Sequence, residues 1–234
     1  MKGALRFVIA LIVTILLMLA FRALMFTVYT VKGTALEPCL IDGDRILVNR
    51  WSYGLRTGDG HLFRYTRWFG SPVERGDLAV IDNPLAVRRH SVCGDMSALY
   101  CTAVPGDTVT VAGVQMAVPG RQKPVKVTAD NMSMLSFIYN NYEGREATVS
   151  GGRLMVDGVE TGCAMFANDY YWFSAGHAGA AADSRYFGFV PEYHVIGKVA
   201  LLLYSVDSEL RLKFRLRPDR WMLVIRKDSG ASAE

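Results

Sequence analysis

The sequence predicts a mainly β protein: an N-terminal single transmembrane helix followed by an antiparallel β domain that carries a smaller inserted β region. Three observations lead there. Residues 7–26, FVIALIVTILLMLAFRALMF, are apolar except for Thr14 and Arg22, long enough for a helix of about 30 Å that crosses a bilayer. Beyond them, short runs of alternating or β-branched apolar residues recur between Gly, Pro, Asn and Asp turn signals, and no helical run of any length appears. The composition, 51% hydrophobic and 21% charged over 234 residues, suits one ordinary folded domain with an appendage.

Residues 1–28 are read as a cytoplasmic tip and anchor. Lys2 and Arg6 precede the apolar run, and basic residues tend to stay on the cytoplasmic side, so the main domain is expected outside. Arg22 lies close enough to the outer end to snorkel to the interface. A cleaved secretory signal is the competing reading, but its apolar region runs only about 7–15 residues, and the small pair Gly33 and Ala35 lies well past the run. Residues 29–226 then form the β domain, with the inserted region at about 108–165, and 227–234 a polar tail. Within it, 29–49 reads as extended on either side of Pro38, and 52–74 as a surface excursion rich in Gly, aromatic and basic residues. Strands are expected at 76–82, 97–104 and 107–113, at 146–158 around a Gly-Gly turn, and at 170–174, with two or three more in 194–227.

The formal charge of +4 is small and scattered, and nothing resembles a nucleic-acid reader. RLKFRLRPDR at 211–220 reads as a strand with one solvated cationic face. Of the four cysteines, Cys39, Cys93, Cys101 and Cys163, Cys93 and Cys101 are nearest in sequence and are the candidate disulfide; three full pairings stay open, as do unpaired buried thiols. There is no zinc-type spacing, and neither a metal nor a cofactor is expected.

Four stretches, in order, carry a resemblance. ALEPCLIDGDRILVNRWSYGLR (35–56) resembles a box of the type Ser-Met-x-Pro-Thr-Leu followed by Gly-Asp and a strand. RGDLAVI (75–81) resembles the strand after it, AVPGDTVTV (103–111) a Gly-Leu-Pro-Gly-Asp segment, and DSRYFGFVPEYHVIGKV (183–199) an Asp-Ser-Arg-Tyr-Trp-Gly-Phe-Val-Pro segment. The chain thereby resembles the bacterial type I signal peptidases, membrane-anchored serine proteases that remove signal peptides. The resemblance implies their antiparallel β fold and a domain resting on the outer membrane surface through an apolar patch, for which Trp51, Tyr53, Phe63, Tyr65, Trp68 and Phe69 are suited.

It also implies where the chemistry should stand. That family uses a serine nucleophile and a lysine base, and a serine hydroxyl needs a base within hydrogen-bond reach, while a lysine serves only if apolar burial leaves its amine neutral. Leu36, Glu37, Pro38 and Cys39 fall on Met-x-Pro-Thr, which puts Ala35 at the nucleophile. Counting back from Pro105-Gly106-Asp107 puts Leu99 at the base. Neither side chain has a reactive atom. The polar segment before Asp183 is reduced to Ala175-Gly176-His177-Ala178-Gly179-Ala180-Ala181, with Ala181 at a supporting serine. Gly33, Thr34, Ala35, Leu36, Pro38, Leu99 and Cys101 are the expected peptide-binding cleft, and Asp107, Asp183 and Arg185 are expected to be structural.

Thr34 would face away from Ala35 on an extended strand, Cys39 lacks an obvious base, Ser97 and Cys101 share the strand face of Leu99, and His177 with Asp183 and Ser97 or Ser174 forms an imagined triad. The favoured expectation is a pseudopeptidase in the bacterial plasma membrane, periplasmic domain outward, whose partners are the membrane, signal peptides or preproteins, or an active paralogue. The alternatives are a working peptidase with non-standard residues and a structural envelope component with a vestigial cleft.

Overall fold

The computed structural model describes residues 2–33, 36–57, 66–84, 96–111, 113–176, 183–207 and 216–225. A run rich in Leu, Ala and Met, good helix formers with small rotamer cost, gives α1 (Lys2–Met25), inside which the Thr14 hydroxyl donates to the Ala10 carbonyl at 2.9 Å. The side chains of 6–19 in α1 are exposed and that of Met25 is half-buried. Among the described residues no helix is long and apolar enough to cross a membrane. The structure thus supports an N-terminal helix with exposed apolar side chains, a coarser statement than the predicted span.

Eight strands carry the principal pairings: β1 (Phe26–Thr30), β2 (Asp44–Asn49), β3 (Leu78–Asp82), β4 (Met96–Ala103), β5 (Tyr170–Ser174), β6 (Val190–Pro191), β7 (Val195–Val206) and β8 (Leu216–Val224). Every one of their registered pairings is antiparallel. The chain divides into two compact units, one of 1–30, 43–72 and 197–225, the other of 31–42 and 73–196 with the C-terminal tail.

In the first unit β1 pairs with β2 (Val28 opposite Leu47), β2 with β7 (Ile46 opposite Leu202), and β7 with β8 (Tyr204 opposite Trp221). Period-two alternation in β2 turns Asp44, Ile46 and Val48 inward. The buried Asp44 carboxylate is satisfied by Arg220, whose Nη2 donates at 2.6 Å. Arg217 donates to the Ser205 hydroxyl at 3.0 Å. The cationic face expected for 211–220 is corrected accordingly: β8 begins at Leu216, and its two arginines are spent on buried or half-buried acceptors, because a buried carboxylate must be paired. Residues 211–215 lie outside the described chain. The excursion at 52–74 contains a short hairpin, Leu55–Thr57 with Thr66–Trp68; Trp68 and Phe69 on it are exposed and Tyr53 is buried, while Phe63 and Tyr65 lie outside the described residues.

In the second unit β3 pairs with β4, β4 with β5, and β5 with β6. The inserted region holds the hairpin Thr108–Val111 with Val114–Ala117, the pair Val125–Lys126 with Cys163–Ala164, and a meander of Ala147–Ser150, Arg153–Val156 and Val159–Glu160. The expected Gly-Gly turn is there, Gly151 and Gly152 both at positive φ (58° and 74°), as a two-residue hairpin with that twist requires. The expectation of no helix after the anchor is wrong: α2 (Met132–Ile138) continues into a π-helical turn at Tyr139–Glu143. Met132, Leu135, Ile138 and Tyr139 line its buried side, and Gly144 ends it in the left-handed conformation. Its buried residues join Val109, Val118, Leu154, Val156 and Phe166 in a core that also takes in Ala103, Tyr170, Trp172 and Phe189 from β4, β5 and the segment before β6.

Candidate functional site

The described residues of the expected cleft, Gly33, Leu36, Pro38, Leu99 and Cys101, all belong to the second unit. Residues 36–40 make one tight turn, the Leu40 amide donating to the Leu36 carbonyl at 3.0 Å, with both leucines buried. Pro38 and Cys39 at its tip are exposed, after a cis Glu37–Pro38 bond. The Gly33 amide donates to Asp42 Oδ1 at 2.9 Å, which closes the mouth of the loop. Thr34 and Ala35 lie outside the described residues.

Leu99 sits in the middle of β4 with 0% of its surface exposed, opposite Ala79 of β3, which is equally buried. The pairing of Ile81 with Ser97 and of Ala79 with Leu99 keeps the alternation regular, so Ser97 and Leu99 share a face as expected. Cys101 is buried, its thiol 3.6 Å from the Ala103 carbonyl. A lysine at 99 would be desolvated among apolar neighbours, the condition under which it works as a base; leucine leaves that environment without a proton acceptor.

Tyr100 points to the other face of β4, and its hydroxyl donates to the Cys39 sulfur at 3.2 Å. This contact joins the 36–42 segment to the strand. Neither Tyr100 nor Asp42 was singled out from the sequence; both stand next to residues that were, and only the fold shows them meeting the loop. Of the substitutes, Ser174 shares a hydrogen bond with Thr102, 3.1 Å between hydroxyls, and His177 lies outside the described residues, as does Cys93 of the candidate disulfide.

The three structural residues are placed. Asp107 closes the Val104–Asp107 turn: its amide donates to the Val104 carbonyl at 3.0 Å, and its carboxylate accepts from the Val104 amide at 2.8 Å and from Arg75 at 2.7 Å. Partial burial works to raise its pKa, but the Val104 amide and the Arg75 guanidinium outweigh it and hold the carboxyl below the ordinary aspartate value. Asp183 is fully buried at the N-terminal end of α3 (Ser184–Phe187). It accepts from the amides of Arg185 and Ala175, each at 3.0 Å, and from Arg185 Nη2 at 2.6 Å. The half-exposed Arg185 is held above the usual guanidinium value by that bond. Ser184, missed from the sequence, accepts from the Phe173 amide at 2.9 Å and so ties α3 to β5.

A comparison with known proteins matches residues 4–204 to the family described as signal peptidase, peptidase S26. Among curated relatives, the chain is 22% identical to a signal peptidase IB of Staphylococcus aureus (strain MRSA252) over 213 residues, 91% of this chain and 95% of that protein. It is 26% identical to a signal peptidase I of Bacillus licheniformis over 126 residues, 52% of this chain, and spans about half of that relative's length, 54%. The order of boxes, the antiparallel strands and a match over most of the length place the chain in the signal peptidase, peptidase S26, family.

Proposed function

We propose that the chain is a pseudopeptidase: a membrane-anchored, extracytoplasmic member of its family that holds an extended, signal-peptide-like segment beside 33–42 by backbone pairing and does not cut it. The observation that carries this reading is Leu99, fully buried at the position of the general base. Ala35 at the nucleophile supports it from the sequence. In a comparable serine protease, loss of the nucleophile alone costs about a millionfold in rate, and here neither partner of the dyad has a reactive atom.

The anchor belongs to the same proposal. The apolar run at 7–26 crosses the bacterial plasma membrane once, the N-terminus stays inside with Lys2 and Arg6, and the β units lie on the periplasmic side. The physiological partners are then preproteins, or an active paralogue that the chain regulates or scaffolds.

The test is a titration of the purified, detergent-solubilised full chain against a peptide with small residues at the first and third positions before its cut site. The expected result is saturable binding with the peptide recovered intact. Absence of binding points instead to a structural envelope component, and recovery of two fragments to a working peptidase with non-standard residues.

A further inference from the structure

We infer that the hydrogen bond from Tyr100 to Cys39 is a positioning tether, holding the 36–42 segment on β4 now that no dyad can join the same two parts of the chain. The inference rests on reading the site as an emptied cleft. In a serine–lysine site the nucleophile and base must lie within hydrogen-bond reach, so their contact also ties the loop at 35 to the strand at 99. Ala35 and Leu99 have no polar side-chain atom with which to do so. One residue along the strand and four along the loop, the Tyr100 hydroxyl and the Cys39 sulfur meet at 3.2 Å.

The surroundings fit a tether rather than a core contact. Leu36 and Leu40 bury the base of the turn and Asp42 closes its mouth on the Gly33 amide, but the tip that carries Cys39 is exposed. Tyr100 is half-buried, and its hydroxyl is bonded to the exposed Cys39. Strand alternation puts Tyr100 on the face of β4 opposite Leu99. Tyr100 and Cys39 thus act on a bound peptide through the loop they fix; they are positioning residues.

The experiment compares the detergent-solubilised full chain with Tyr100→Phe, Cys39→Ala and Cys39→Thr by hydrogen exchange of the 36–42 amides and by affinity for the same peptide. Loss of one neutral hydrogen bond shifts a local opening equilibrium by roughly two- to tenfold. Tyr100→Phe and Cys39→Ala are expected to speed exchange in 36–42 by that factor, to weaken peptide affinity by a similar factor, and to leave exchange in 108–165 unchanged. Cys39→Thr, which restores an oxygen acceptor, is expected to behave as the parent. Unchanged exchange in Tyr100→Phe, or a Cys39→Thr variant as loose as Cys39→Ala, overturns the tether. If no peptide binds to any form, the binding proposal fails and the exchange comparison decides the tether by itself.

Discussion

Leu99, Asp107 and Asp183 each make a separate demand on the chain. Leu99→Ala truncates a fully buried side chain, and is expected to cost about 2–5 kcal/mol in denaturant unfolding. Asp183→Ala removes an acceptor from two amides and a guanidinium at once; because Arg185 keeps access to water, the loss is set at about 2 kcal/mol rather than the full cost of a stranded charge. Asp107 gives a pH dependence. Its folded pKa is depressed, so its contribution to stability is present above the ordinary aspartate pKa of about 3.9 and is lost as the pH falls through the folded value. Acid unfolding of Asp107→Asn is therefore expected to show a shallower slope in that range than the parent. The ionic roles of Asp183 and Arg185 were legible because the residues sit two apart in a motif; the pairing of Asp44 with Arg220, 176 positions away, was not, since no local pattern encodes it.

At the scale of elements, strands were read well where turns are chemically marked. Gly106 is one such mark, with φ +93° and a place where an added Cβ would come within 3.0 Å of Lys123 Nζ. Gly106→Ala is expected to destabilise by about 1 kcal/mol or more, measurable as a lower denaturant midpoint with an unchanged slope. The helix at 132–143 was missed because Ser133, Ser136, Asn140 and Asn141 interrupt its apolar positions and two of its turns are not of one kind, α then π. Its signals were Asn131 before it, Gly144 after it, and Met132, Leu135, Ile138 and Tyr139 at helical spacing. Within the expected cationic strand, the pairing of Arg217 and Arg220 was missed for the opposite reason: both look solvated until the strands beside them supply Ser205 and Asp44.

Over the whole molecule, the family was legible from four boxes in order, and the match over residues 4–204 agrees with them. The same boxes carry the proposal that the chain does not cut, since by resemblance they put Ala35 and Leu99 where the family has its dyad. What the sequence did not disclose is the setting of these positions: Leu99 buried in register with Ala79, and the Tyr100 hydroxyl hydrogen-bonded to Cys39. The most direct test of the central claim is cleavage of a purified preprotein by the detergent-solubilised parent chain beside an Ala35→Ser, Leu99→Lys double variant. The lysine enters a site whose burial would lower its pKa toward that of a base. A silent parent and an active variant are predicted; cleavage by the parent would contradict the account and move the search for a nucleophile to Ser97 and Cys101.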